Sequence, residues 1–327
     1  MTDIFKDKTV LITGGTGSFG NKFTEIVLKK YKPRKLIIFS RDEMKQHEMS
    51  RVFGVEKYKN IRYFIGDVRD ANRLHRAFHD VDIVIHAAAL KIVPTAEYNP
   101  FEAVRTNVIG AENIINTALD NGVKKVIALS TDKAANPINL YGATKLCSEK
   151  MFVAANNYGS GRTKFSVVRY GNVFGSRGSV VPFFKECRAK GVVPITDKNM
   201  TRFWITLDKG VEFVLRCLDD MQGGEIFVPK IPSMKVTDLA RAICPDCRQE
   251  VIGIRPGEKL HEALVTQDDW VNTYEYKDRY VTYPYVVRHE NAGDGGKSLT
   301  PDFKGYRSDN NTDWLSVEEL QKITDNV

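Results

Sequence analysis

Long apolar runs are missing from this chain. No stretch approaches the ~20 apolar residues that a membrane span needs, and Val10-Leu11-Ile12 runs straight into glycines, leaving no signal-peptide core. The expectation is a cytoplasmic protein. A Lys/Arg tract is missing too. The net charge of +7, from 48 Lys and Arg against 41 Asp and Glu, is spread along the sequence. That fits an anionic small substrate better than a nucleic-acid track, with a merely solvated basic surface as the alternative. Cysteine is scarce: Cys147, Cys187, Cys217, Cys244 and Cys247 form an odd set with no disulfide-framework spacing, which suits a reducing compartment. Cys244-Pro245-Asp246-Cys247 has metal or redox spacing. Without a second ligand pair or a nearby His it does not complete a zinc site, and no metal is expected. Repeats and low-complexity segments are absent.

What is present is an ordinary globular composition, 42% hydrophobic and 27% charged over 327 residues, long enough for a large domain and a smaller one. A short strand, Thr9 to Thr13, runs into Gly14-Gly15-Thr16-Gly17-Ser18-Phe19-Gly20 and then a helix with Phe23, Ile26 and Val27 on its apolar face. Glycine is required there for the tight turn, for close approach to a pyrophosphate, and for packing of helix on strand. The phosphates then sit on the helix N-terminus. A second strand, Lys35 to Phe39, ends in Ser40-Arg41. A chain selecting NAD would carry a carboxylate here, and a hydroxyl with a guanidinium suits the 2′-phosphate of NADP instead, although Asp42 and Glu43 follow at once. The third strand, Ile61 to Ile65, leads to Asp67, placed to accept from an adenine amine or else to cap the next helix. A fourth, Val81 to Ile85, leads into His86-Ala87-Ala88-Ala89-Leu90-Lys91. Its small side chains let the backbone lie against a cofactor, His86 reads as packed, and Lys91 is within reach of a sugar or phosphate.

The stretch Ser130 to Lys145 follows an apolar run, Val126 to Leu129, crosses a loop broken by Pro137 and enters a helix. Tyr141 and Lys145 lie one helical turn apart, so an ammonium can lower the phenol pKa from about 10. Asp132 and Lys133 put a carboxyl and an amine just upstream. A further strand, Phe165 to Arg169, completes an alternation of strands and helices that predicts an α/β, doubly wound parallel sheet of Rossmann type, with its ligand at the strand C-terminal ends. The expected division is a cofactor domain over 1–170, with 207–229 returning to it, and a smaller substrate-binding domain from 171–206 and 230–327.

Thr13 to Gly20, the His86-Ala87-Ala88-Ala89 segment, Ser130 to Lys145 and Arg169-Tyr170-Gly171-Asn172-Val173 resemble the extended short-chain dehydrogenase/reductase family of nucleotide-sugar enzymes. Gly171 to Phe184, Met200 to Trp204 and Gly253 to Lys259 sharpen the resemblance to its inverting UDP-N-acetylglucosamine 4,6-dehydratases, the first enzymes of pseudaminic acid synthesis. The resemblance is weakest from Val265 to Lys304, where no motif carries over.

The resemblance implies that Tyr141 takes the proton of the sugar 4-hydroxyl while hydride leaves C4 for NADP. Lys133 then removes the C5 proton, Asp132 in its acid form protonates the departing 6-hydroxyl, and hydride returns to C6, giving UDP-2-acetamido-2,6-dideoxy-β-L-arabino-hex-4-ulose. Thr131 would bond the 4-oxygen. Retaining relatives look like Asp-Glu at positions 132 and 133, so Lys133 suggests inversion. Lys133 must be neutral and Asp132 protonated, and desolvation could favour that pair by moving one proton. The resemblance adds Lys45 and Val68 to the cofactor residues and Lys91, Asn172, Val180, Thr196, Arg202, Arg255 and Glu258 to the substrate residues. The two guanidinium forks suit a diphosphate and Glu258 a ribose diol. It also implies a homo-oligomer. Two other readings stay open, a 4-epimerase or reductase that has no use for Asp132-Lys133 and a non-catalytic NADP sensor that has no use for Tyr141.

Overall fold

The structure, a computed structural model, describes residues 3–158, 161–176, 180–283, 285 and 293–325. Ten strands form its main sheet. β1 (Thr9–Thr13) is buried along its whole length because helices cover both faces of the sheet, which is why it reads as an unbroken apolar run rather than an alternation. On one side lie β2 (Lys35–Ser40) and β3 (Ile61–Ile65), and on the other β4 (Ile83–His86), β5 (Lys125–Thr131) and β6 (Lys164–Tyr170), all parallel. The strand order therefore reverses between β1 and β4, opening a crevice at the strand C-terminal ends where such sheets bind ligands. β4 begins two residues later than Val81 and runs on to His86.

Gly14, at φ +64°, turns the chain out of β1, and a Cβ there would lie 2.8 Å from the Ala88 amide. Only glycine lets the two loops meet. Gly20 sits in the first turn of the helix Ser18–Lys30, where a Cβ would drive into the Gly15 carbonyl.

Beyond β6 the chain builds a cap with its own core, in which Phe174, Val181, Phe184, Trp204, Leu239 and Leu320 are buried. Its strands are β7 (Asn172–Val173), β8 (Val192–Ile195), β9 (Thr201–Ile205), β11 (Ser233–Lys235) and β12 (Arg248–Val251). Between β9 and β11 the helix Leu207–Asp220 packs on the helix Ser18–Lys30, and β10 (Ile226–Pro229) pairs parallel with β6. A small antiparallel pair, β13 (Ala263–Val265) with β17 (Tyr306–Arg307), follows. Ser316 and Glu319 exchange bonds as a capping box, Ser316 N donating at 2.8 Å and Glu319 N at 3.2 Å, and open the helix Val317–Asp325 against the helix Val236–Ile243.

Two expectations are corrected. The segment 230–327 is not all cap, because β14 (Thr273–Glu275), β15 (Arg279–Thr282) and β16 (Lys297–Ser298) extend the main sheet antiparallel beyond β10. These strands lie where no motif was legible. Cys244 and Cys247 are joined as a disulfide, the turn between them holding their Cα atoms 5.3 Å apart, while Cys147, Cys187 and Cys217 are free. Of the segment Gly171 to Phe184 that carries the resemblance, residues 177–179 lie outside the described residues.

Candidate active site

The crevice is a cleft of about 860 Å³ that runs from the β1 turn to the cap. Gly14, Thr16, Gly17, Ser18 and Phe19 line one end, and Gly20 supports them from behind the wall. The N-cap residue of the helix Ser18–Lys30 is Gly17, which has no side chain to cap it. A glycine turn ending in an uncapped helix N-terminus fits the pyrophosphate of a dinucleotide. Ser40, Arg41, Lys45, Asp67 and Val68 continue the wall, followed by Ala87, Ala88, Ala89 and Lys91.

Arg41 is 59% exposed at its side chain and lies 3.9 Å from Asp67 Oδ2. Lys45 pairs with Asp42 at 2.9 Å, and Ser40 Oγ accepts from Gln46 at 3.0 Å. Asp67 does not cap the next helix, since Asp70 does so by accepting from Arg73 N. Burial pushes the Asp67 pKa up, but hydrogen bonds from Arg69 outweigh it and leave the carboxyl below its usual value. His86 is packed: its Nδ1 bonds Thr13 Oγ1 at 2.8 Å, and burial, aided by the Lys145 charge, pushes its pKa down to about 3. Asn107 lies in a π-helical turn, Arg105–Ile109, where it bonds both backbone groups of Leu90 and donates to Thr144 Oγ1 at 3.0 Å. It thereby ties the β4 loop to the helix Leu140–Ala154.

The other end of the cleft is built on β5. Thr131 ends that strand and Asp132–Ala134 turns as a single 3₁₀ unit. Thr131 Oγ1 donates to Asp132 Oδ1 at 2.9 Å, and Lys133 Nζ donates to the same oxygen at 3.1 Å and to Asn172 Oδ1 at 3.5 Å. Asn139 caps the helix Leu140–Ala154 through Gly142 N at 2.8 Å, setting Tyr141 and Lys145 on the cleft wall beside Thr131 and Lys133. Gly142 lies so close beneath the loop that a Cβ would overlap the Lys133 carbonyl oxygen.

Two electrostatic expectations are corrected. Burial raises the Tyr141 pKa, and the Lys133 charge with a Thr131 hydrogen bond opposes that without reversing it. Lys145 is not among the groups that act on it, and burial pushes Lys145 itself down to about 8 against the attraction of Glu149. Burial also pushes Lys133 down, but the Asp132 and Glu262 carboxylates outweigh it, against Arg202, and hold the amine above the ordinary lysine value. Lys133 therefore rests as the ammonium, not as the neutral amine that the reaction needs. Asp132 is fully buried and off the cleft wall, and its Oδ2 has no hydrogen-bond partner among the described residues.

From the cap, Asn172, Val180, Arg202, Arg255 and Glu258 face the cleft, and Thr196 does not, being buried just past β8. Arg202 is already engaged: it donates to the carbonyls of Thr201 at 2.7 Å and Leu260 at 3.1 Å, and lies 3.6 Å from Glu258. Lys91 has its pKa lowered by burial and by the Lys133 charge. Sequence reasoning missed Trp204, Thr106 and Glu262, which also line the cleft. For Glu262 the one signal was its place three residues after Lys259, at the end of a quoted motif. Among the described residues no His, Cys, Asp and Glu cluster is disposed to hold a metal, and no helix is long and apolar enough to cross a membrane.

Residues 10–284 match the family described as polysaccharide biosynthesis protein. An inverting UDP-N-acetylglucosamine 4,6-dehydratase of Campylobacter jejuni is 56% identical over 98% of this chain and 98% of its own. A UDP-glucose 4-epimerase of Rickettsia conorii is 41% identical over 98% of this chain and 96% of its own. Among solved structures, Pen from Bacillus thuringiensis superposes with a TM-score of 0.88 at 38% identity, covering 99% of both chains. With its glycine turn, its Tyr141–Lys145 helix and similarity along its whole length, the chain belongs to the polysaccharide biosynthesis protein family, of the extended short-chain dehydrogenase/reductase type.

Proposed function

We propose that this protein is a UDP-N-acetylglucosamine 4,6-dehydratase that inverts C5, with NADP as its cofactor, and that its product enters pseudaminic acid synthesis. The observation that carries the reading is Lys133 on the cleft wall beside Tyr141 at the end of β5, with Asp132 bonded to its amine from behind that wall. A nicotinamide cofactor held along the wall from Gly14 to Ala89 would supply the acceptor for the C4 hydride and its later donor. Tyr141 receives the 4-hydroxyl proton, and Thr131 bonds the 4-oxygen. Lys133 takes the C5 proton, acidified by the new ketone, and Asp132 protonates the departing 6-hydroxyl. The resting ion pair reaches the reactive form by moving one proton from Lys133 to Asp132, with no change in proton count. Arg202 and Arg255 hold the diphosphate and Glu258 the ribose. NADP is favoured by Arg41, exposed at the end of β2 beside Ser40. Self-association is supported by Tyr98 and Phe101, 88% and 79% exposed on adjoining short helices.

The test is a proton NMR time course with UDP-N-acetylglucosamine in D2O. The expected product is a 4-keto-6-deoxy sugar, inverted at C5 and deuterated there, formed without net cofactor turnover. A product that keeps its 6-hydroxyl sinks the dehydratase reading in favour of the epimerase one, for which Lys133 has no use.

A further inference from the structure

Glu262 is 2% exposed, yet its side chain faces the cleft. Its backbone is pinned from both sides by Ser308, Glu262 N donating to Ser308 Oγ at 3.0 Å and Ser308 N to the Glu262 carbonyl at 2.8 Å. The carboxylate is thereby aimed at cations it does not clamp. Oε1 lies 3.4 Å from Lys133 Nζ and 3.9 Å from Arg202 Nε, and Oε2 lies 3.8 Å from Lys259 Nζ with no hydrogen-bond partner among the described residues. A charge-assisted bond closes to about 2.7–2.9 Å, and a buried carboxylate left short of that is costly.

The chemistry proposed for Lys133 supplies a reason. As the C5–H bond breaks, its proton goes to Lys133 Nζ and its electron pair becomes the C5–C6 π bond. The C6–O pair leaves with oxygen, which takes the Asp132 proton and departs as water. Lys133 thus gains a positive charge that the Asp132 carboxylate matches only once the acid has given up its proton, and a second negative group at the amine would stabilise the charge while it forms. We infer that Glu262 is a positioning residue for this step, holding the Lys133 amine beside Asp132 and supplying the fixed charge against which the ammonium forms. The inference rests on the reading of Lys133 as the C5 base.

The groups acting on Lys133 are Asp132 from its own turn, Glu262 from the cap, Arg202 from β9, Lys259, Lys91 from the β4 loop, and Tyr141 from the helix beneath. The Asp132–Lys133 pair reacts in the form that shares one proton, so its rate follows a bell bounded by gain and loss of a proton. Removing a nearby negative charge makes every proton easier to lose, and both limbs move to lower pH.

The experiment measures the pH profile of elimination in Glu262→Gln, Glu262→Asp and the unaltered enzyme. The Gln bell is expected to move down by about one unit or more, while the Asp variant, which keeps the charge, turns over more slowly on an unmoved bell. Retained C4 oxidation, read as bound NADPH, shows that each variant is folded, and Glu262→Met replaces the Gln variant if that one is not. A Gln bell that coincides with the unaltered one, or Gln and Asp bells that move together, overturns the inference. Lys133→Ala separates the two levels. If it eliminates at a normal rate, the base assignment itself fails. If it stalls while the Gln bell stays put, only Glu262 loses its role.

Discussion

His86 carries the clearest pH signature of any single residue. It is buried and bonded through Nδ1 to Thr13, its Nε2 has no partner among the described residues, and its pKa is about 3 against an ordinary 6.5. The unfolded chain therefore binds a proton that the folded one refuses. The stability this represents is fully present above pH 6.5 and is lost as pH falls toward 3, up to roughly 4–5 kcal/mol. Urea unfolding at pH 7 and pH 4 should show a steep loss that is blunted in His86→Asn, and equal slopes would remove His86 as the cause. Arg41 offers a cofactor prediction. Arg41→Ala should weaken NADP more than NAD, by about 1.5–3 kcal/mol, or tenfold and upward, if the guanidinium meets a 2′-phosphate. Equal losses in titrations with the two cofactors would count against that contact. A third prediction separates Lys133 from Tyr141. Lys133→Ala should accumulate bound NADPH and stall before water is lost, whereas Tyr141→Phe should accumulate none. General acid–base groups contribute about 10²- to 10⁴-fold, so a Lys133→Ala enzyme of near-normal rate would take Lys133 out of the chemistry.

Elements decide how close the reacting groups come. Gly142, in the first turn of the helix Leu140–Ala154, lets that helix pass directly under the Lys133 carbonyl. Gly142→Ala should push the Asp132–Ala134 turn off the helix and depress elimination severely. Gly210→Ala, in the helix Leu207–Asp220 with only Ile205 at 3.9 Å, should gain up to ~1 kcal/mol in an unfolding assay without touching activity. The reverse ranking would mean that the close approach at Gly142 does not matter. Much at this scale was legible in advance. Glycines flanked by a strand and a helix, apolar runs alternating with amphipathic segments, and Tyr141 and Lys145 one turn apart are local patterns, and local patterns survive folding. What escaped is long-range. The charge state of Lys133 depends on Glu262, 129 positions away in sequence. The return of β14 to β16 to the main sheet depends on pairing with β10, because a strand's register is set by its neighbours more than by its own residues. The turn that holds the buried Asp132 likewise packs against β13, far away in sequence.

At the scale of the molecule, the chain crosses between sheet and cap repeatedly: β6 leads to β7, β9 to β10, β10 to β11, and the cap returns at β14. Neither body is a contiguous segment. Asn139 Nδ2 also donates to the Gly257 carbonyl at 2.8 Å and Lys259 Nζ to the Ala135 carbonyl at 2.6 Å, joining the cap to the loop beside the reacting pair. Heating should accordingly give one transition, with near- and far-ultraviolet circular dichroism coincident, and two separated transitions would show that the bodies melt independently. The late return of β14 to β16 also has a bearing on synthesis. A ribosome delivers the chain from its N-terminus, so the glycine turn and β1 to β6 emerge early, while β10 keeps a bare edge until residues 273–282 are free. The nascent protein passes through a long interval with an open strand edge and no Glu258 or Glu262 in its cleft, a vulnerability to misassembly that ends only when residues 273–282 have been added.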